Sequence, residues 1–207
     1  MHSPFSRLYA IIDPAQTGHL SPAAVTEILL AAGVRLIQFR DKRASSGELL
    51  QLSTQIACQV RRAQGVFIVN DRADVALAVD ADGVHLGQDD LPLELARRVL
   101  SAGKWVGTST HVLSQVVEAE KSSADYIAFG PVFPTESKDN PDQVVGLHGL
   151  REARQATRKP LVAIGGITAE NARAAIDAGA DSVAVISDLL KAPDIGQRAR
   201  LFLEVLQ

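Results

Sequence analysis

Short apolar runs rich in Val and Ile recur along the chain, separated by longer segments whose apolar residues fall at helical spacing. The runs are LYAIID (8–13), VRLIQFR (34–40), VFIVND (66–71), GVHLG (83–87), WVGTS (105–109), YIAFGPVF (126–133), PLVAIGG (160–166) and SVAVIS (182–187), which makes eight predicted strands. Between them AAVTEILLAAG, ELLQLSTQIACQVRRAQ, VLSQVVEAEKS and AENARAAIDAG predict helices, with glycine near several ends, where a helix stops most easily. Strands that are apolar nearly throughout predict a sheet covered on both faces, and regular strand–helix alternation with right-handed crossovers makes that sheet parallel. Eight such units in 207 residues sit at the short end for a closed barrel, and no G-x-G-x-x-G follows the first run, as an open dinucleotide-binding sheet requires. The pattern therefore predicts an α/β fold, a (β/α)8 TIM barrel, as a single domain over residues 1–207.

In such a barrel the reactive face lies where strands end, and polar residues collect there. The second run ends in Gln38, Arg40, Asp41 and Lys42, the third in Asn70 and Asp71, the fourth in Gln88, Asp89 and Asp90, and the fifth in Ser109 and His111. The sixth leads into Thr135, Ser137 and Lys138, the seventh into Gly165 and Gly166, and the eighth into Ser187. The irregular stretch PTESKDNPDQVVGLHG (134–149) is weakly apolar and reads as an active-site lid.

Asp71 and Asp90 end neighbouring strands, where two carboxylates suit one Mg²⁺ that completes its shell with water and substrate phosphate; the alternative is that each caps the helix that follows it. Of the adjacent pair Asp89 and Asp90, the second is assigned to the metal. Arg40, Lys42 and Lys138 set three cations around the same mouth, which indicates a local anion site fit for a diphosphate. Gly165, Gly166 and the Ile186–Ser187 pair match a backbone phosphate cradle of the seventh and eighth strands. Two anion sites of different kind in one mouth predict transfer of a group from a diphosphate to a monophosphate, with Mg²⁺ neutralising the departing pyrophosphate. His85 reads as a barrel-interior histidine, Trp105 and Tyr126 as packing residues, and His111 as either a ligand contact or a helix cap.

Composition narrows the class. With 21 basic against 24 acidic side chains the chain carries a net charge of −3, too little positive charge to attract nucleic acid nonspecifically. The single cysteine, Cys58, excludes an intrachain disulfide and a thiolate zinc cluster, and it suits a reducing compartment. No run approaches the about 20 apolar residues of a membrane span, and the opening MHSPFSRLYA lacks a charged segment followed by a long apolar one; a cytoplasmic protein is expected.

Taken in order, LYAIID, QFRDK, VNDRADVALAVDADGVHLGQDDLP, GTSTH, YIAFGPVFPTESK, VAIGGI and VAVIS resemble the thiamine-phosphate synthase (thiamin monophosphate pyrophosphorylase) family across nearly the whole chain. The resemblance implies a transferase that joins a hydroxymethylpyrimidine diphosphate to a thiazole monophosphate, releasing pyrophosphate. It implies that Gln38, Phe39, Arg40, Asp41, Lys42, Asn70, Ser109 and Lys138 bind the pyrimidine diphosphate, with Arg40, Lys42, Ser109 and Lys138 in catalytic roles. Asp71 and Asp90 hold Mg²⁺ on this likeness, and Thr135, Glu136, Ser137, Gly166, Ile186 and Ser187 bind the thiazole phosphate. The implied chemistry is dissociative: the bond to pyrophosphate breaks first and the thiazole nitrogen then attacks a pyrimidine methyl cation, so no protein nucleophile is required. Two departures are small: TESK stands where the family often has a second threonine, and GTSTH where valine commonly follows the glycine. The rival readings are a thiazole tautomerase-like isomerase, opposed by GQDD and by Gln38 where those enzymes tend to carry histidine, and a noncatalytic thiamine-precursor binding protein.

Overall fold

A computed structural model describes residues 6–135 and 143–207. Eight strands, β1 (Leu8–Ile12), β2 (Leu36–Phe39), β3 (Val66–Asn70), β4 (Gly83–Leu86), β5 (Trp105–Thr110), β6 (Tyr126–Phe129), β7 (Leu161–Ala163) and β8 (Ser182–Val185), pair in chain order and close on themselves. Every neighbouring pair is parallel, including β1 with β8. The helices between them are α1 (Pro22–Ala31), α2 (Ser46–Arg62), α3 (Ala73–Ala78), α4 (Leu93–Val99), α5 (Leu113–Lys121), α6 (Gly146–Ala156) and α7 (Ala172–Asp177), followed by α8 (Ser187–Leu190) and α9 (Ile195–Val205). The predicted closed barrel is the observed fold.

Local chemistry starts the longer helices. Ser21 accepts a hydrogen bond from Ala24 N and is followed by Pro22, whose missing N–H costs nothing in a first turn. Ser45 and Glu48 form a reciprocal capping box at the start of α2.

The apolar strands divide their residues between two cores, as the twofold repeat of a strand demands. On β2, Ile37 and Phe39 face outward to the helices, while Leu36 and Gln38 face the barrel interior. The outer core holds side chains such as Ile12, Phe67, Val106, Phe129 and Phe202, all at most 2% exposed. The inner core is small and contains Tyr9, Leu36, Ile68, Tyr126, Ala128, Val162 and Ala184. Gly107 makes room for it, since a Cβ there would stand 2.0 Å from the Tyr126 ring.

A repeated device ties the floor of the barrel. Ala-Asp precedes β4, β6 and β8 as Ala81-Asp82, Ala124-Asp125 and Ala180-Asp181. In each case the carboxylate accepts a strand N–H of the preceding element: Phe67 N to Asp82 at 2.7 Å, Val106 N to Asp125 at 2.7 Å and Leu161 N to Asp181 at 2.8 Å. Arg97 pairs with Asp125, and Arg154 with Asp181 at 2.8 Å.

The predicted strand ends overrun where chain leaves the ladder for the mouth. Residues 131–133 belong to no strand, although Val132 N and Phe133 N donate to the Ile164 and Gly165 carbonyls. The predicted lid also ends early, because its last residues, from Gly146 on, form the first turn of α6. Its residues 136–142 lie outside those described.

Candidate active site

The ends of the strands surround one cavity of about 940 Å³. From β2 to β5 it receives Gln38, Arg40, Lys42, Asn70, Asp71, Asp90 and Ser109; from the opposite wall come Thr135, Gly165, Gly166, Ile186 and Ser187. Two predicted ligands stand elsewhere. Phe39 is fully buried in the outer core, because it alternates with Gln38 and Arg40 along β2. Asp41 closes a turn, its Oδ1 accepting from Arg43 N at 2.9 Å and Ala44 N at 3.1 Å. Glu136, Ser137 and Lys138 lie outside the described residues.

Asp71 has a left-handed backbone, φ 62°, and its N–H bonds to His85 O at 2.8 Å. That turn brings its carboxyl against Asp90. Asp90 is itself anchored, its Oδ2 accepting from Gly87 N at 2.7 Å. Neither caps a helix: α3 and α4 follow Arg72 and Pro92 and carry no side-chain cap. Burial, with the Asp90 carboxyl beside it, pushes the Asp71 carboxyl up to about 6, against the pull of Lys42. At Asp90 burial works the same way but is outweighed by the hydrogen bonds from Asp71 and Gly87 and by the Lys42 charge, so its carboxyl sits below the usual range.

Counting cations overstates the positive character of the mouth. Arg40 forms an ion pair with buried Asp13 and Lys42 one with Asp71. Among the described lining residues, Arg40, Lys42 and Lys191 face four carboxylates, Asp71, Asp89, Asp90 and Asp188. A diphosphate set against that balance needs an additional positive charge. The donor set fits Mg²⁺, a hard cation that usually takes one or two carboxylates and leaves its other positions to water and phosphate oxygens. Asp71 and Asp90 supply such a pair; among the described residues no group of three His, Cys, Asp or Glu side chains converges, so a metal held wholly by protein ligands is not provided for.

On the opposite wall Gly165 and Gly166 both have left-handed φ, 84° and 65°. Packing requires glycine here: a Cβ on Gly166 would lie 2.4 Å from Pro134 O. Ser187 starts α8 and its hydroxyl donates to Gln16 Oε1 at 2.6 Å. Behind it, Arg198 grips Asp188 at 2.8 Å and Glu170 at 2.9 Å, and Asp188 also accepts from Ala169 N at 3.2 Å, which ties the loop after β7 to α8.

His85 is a barrel-interior residue, 8% exposed, with Nδ1 3.0 Å from Tyr126 Oη and Nε2 2.9 Å from Ser109 Oγ. His111 lines the cavity and its Nδ1 lies 2.6 Å from Gly130 O. The cap at its helix is Gln115, whose Oε1 accepts from His111 N at 2.7 Å. Sequence reasoning missed Asp13 as the partner of Arg40, Gln16 as the partner of Ser187, and the hydroxyls of Tyr9 and Tyr126. Asp13 carried a signal, since it ends the first apolar run as Asp71 ends the third.

Among the described residues no helix is long and apolar enough to cross a membrane. The profile of the family described as "Thiamine monophosphate synthase" matches residues 8–189. The thiamine-phosphate synthase of Koribacter versatilis is 50% identical over 204 residues, 97% of this chain and 95% of the relative. That of Chloroflexus aurantiacus is 44% identical over 94% of this chain and 89% of its own length. Among solved structures, thiamine phosphate pyrophosphorylase from Pyrococcus furiosus superposes with a TM-score of 0.88 at 36% identity, covering 97% of this chain and 95% of that one. The barrel, its mouth and these likenesses agree: the chain belongs to the thiamine-phosphate synthase family of transferases.

Proposed function

We propose that the chain makes thiamine phosphate by Mg²⁺-dependent transfer of the 4-amino-2-methylpyrimidinylmethyl group from its diphosphate to 4-methyl-5-(2-phosphoethyl)thiazole, by a dissociative route. The observation that carries this reading is the Asp71–Asp90 pair facing a glycine-lined wall across one cavity, in a chain of this family. Bound at that pair, Mg²⁺ supplies charge neutralisation to the diphosphate.

The side chains do the rest. Gln38, Asn70 and Ser109 orient the pyrimidine, while Arg40, aimed by Asp13, and Lys42 face the diphosphate oxygens. Lys42 pairs with Asp71, and a cation held by that carboxylate would leave the ammonium available to the diphosphate oxygens. Thr135, Gly166, Ile186 and Ser187 hold the thiazole phosphate on the opposite wall, and Lys138, Glu136 and Ser137 complete the two sites by family likeness. The methylene C–O bond breaks heterolytically and its electron pair leaves with pyrophosphate. The thiazole nitrogen lone pair then forms the new C–N bond. Positioning and electrostatics suffice for this, consistent with a cavity that needs no activated nucleophile. The substrates are small phosphorylated molecules. The setting proposed is the cytoplasm, and the free Cys58, exposed on α2, fits a reducing compartment.

The test is pyrophosphate release with both substrates and Mg²⁺, repeated with EDTA and with Asp71→Ala. Release with formation of thiamine phosphate, reduced at least about 100-fold by either change, is expected, since both remove the charge that offsets the leaving group. Absence of product from folded protein with fresh substrates would refute the reading and turn attention to thiazole isomerisation.

A further inference from the structure

The wall opposite Asp71 and Asp90 sets neutral groups, those of Gly165, Gly166 and Ser187, beside the carboxylate of Asp188. A phosphate monoester carries a charge of about −1.5 to −2 near pH 7, which uncharged donors next to a carboxylate do not balance. Among the described lining residues from 131 onward one is a cation, Lys191. Its backbone N donates to Ser187 O at 2.9 Å, so it stands one helical turn after Ser187 on the same face. Side chains on a helix lean toward its start, and the exposed lysine stem thereby runs back past Ser187 to line the cavity.

Spacing alone would spend this charge. Asp188 precedes Lys191 by three residues on one short helix, a separation at which opposite charges meet. The structure diverts the carboxylate to α9. Arg198 Nε donates to Asp188 Oδ2 at 2.8 Å and Nη2 to Oδ1 at 2.9 Å, and Ala169 N adds a bond to Oδ2 at 3.2 Å. The guanidinium is held in turn by Glu170, with Nη1 to Oε1 and Nη2 to Oε2 both at 2.9 Å, and it lies 5.7 Å over the ring of buried Phe202. Within the described residues Arg40 and Lys42 each stand in an ion pair, whereas Lys191 stands in none.

We propose that Lys191 supplies the positive charge of the monophosphate site and that Arg198 is a positioning residue that keeps Asp188 from capturing it. The inference deepens the proposed function, on whose reading of this wall it rests. A lysine ammonium acts on phosphate as a point charge on a flexible stem, so it follows the phosphate to wherever the backbone donors set it. It also makes the wall selective. A thiazole that bears the phosphate gains the attraction, and the same thiazole without it gains nothing. Because the charge comes from a side chain, this half of the cavity works without a metal.

Calorimetry on the intact chain with EDTA present tests this with three ligands: the thiazole phosphate, the same thiazole without its phosphate, and ethyl phosphate, a monoester without the ring. Lys191→Ala is expected to weaken both phosphates at least about tenfold and the unphosphorylated thiazole by less than about twofold; Lys191→Arg should hold both phosphates within about threefold of the native affinity. Arg198→Ala releases Asp188 to Lys191 and is expected to weaken the phosphates as well, and adding Asp188→Asn should restore most of that loss. A clasp that only braced the loop would not recover on losing a second member. The Lys191 arm stands by itself if Arg198→Ala does not fold. In turnover the Lys191→Ala loss should fall on KM for the thiazole phosphate, with KM for the pyrimidine diphosphate kept within about twofold. Phosphate binding that Lys191→Ala leaves within about twofold, or no binding of either phosphate, would overturn the inference. Failure of Asp188→Asn to restore binding would overturn the role given to Arg198. An inference that fails while product still forms leaves the proposed function standing, and Lys191-dependent binding of ethyl phosphate without product refutes that function alone.

Discussion

Asp71 concentrates several costs in one residue. Its left-handed backbone is worth roughly 1 kcal/mol of strain, and its carboxyl is half-buried beside a second one. Because the folded-state value, about 6, lies above that of an unfolded aspartate, the folded chain binds more protons between about pH 4 and 6. Stability contributed at this residue therefore rises as pH falls through 6, and above it the ionised carboxylate destabilises the metal-free fold. Asp71→Asn is expected to raise the unfolding free energy of the metal-free protein at pH 8 by roughly 1–2 kcal/mol, the gain vanishing below about pH 4. Thermal unfolding across pH checks this, and Mg²⁺ should stabilise the native sequence but not the variant. The loss of the Lys42 ion pair subtracts little, since that side chain is 52% exposed. Asp71 and Asp90 were legible in the sequence because each ends an apolar run. The partners that define their neighbours were not. Asp13 and Arg40 stand 27 residues apart and meet only through the β1–β2 register, in which Arg40 N bonds Ile12 O.

At the level of elements, apolar periodicity found all eight strands but could not say where pairing stops. The run 126–133 continues past Phe129 because Val132 and Phe133 are as apolar as the strand, yet they bond the irregular chain at Ile164 and Gly165. Family likeness takes residues 38–42 as one block, and so includes Phe39, although the strand repeat turns it to the helices. The Ala-Asp pairs passed unnoticed because a carboxylate just before a strand looks like an ordinary turn residue. Their work is structural. Asp125→Ala removes the acceptor of Val106 N and the partner of Arg97, leaving a buried strand donor unbonded. It is expected to destabilise the fold by about 2–3 kcal/mol in urea unfolding, with KM for both substrates unchanged because the floor lies away from the mouth. A change in KM comparable to that in stability would contradict the separation of floor and mouth.

For the molecule as a whole, the charge balance of the mouth lets experiment separate the two proposed anion sites. The wall holding Asp71 and Asp90 carries three carboxylates with Asp89, whereas the Gly165–Gly166 wall offers backbone and hydroxyl groups with one carboxylate, Asp188, beside Lys191. Calorimetry should show pyrophosphate binding that EDTA weakens at least about 30-fold, and thiazole phosphate binding that EDTA leaves within about twofold. Equal metal dependence at both would argue against this division. The closed barrel and the ring of strand-end residues were readable from the chain alone, since both follow from periodicity. The phenol contact inside the barrel was not, because Tyr9 and Tyr126 each look like packing residues until the barrel closes and brings them within 3.1 Å. The three Ala-Asp ties, finally, bear on redesign. A short local signal before the fourth, sixth and eighth strands fastens the floor, and it asks nothing of the residues at the other end of those strands. Substitutions that change the chemistry of the mouth leave these three fastenings in place.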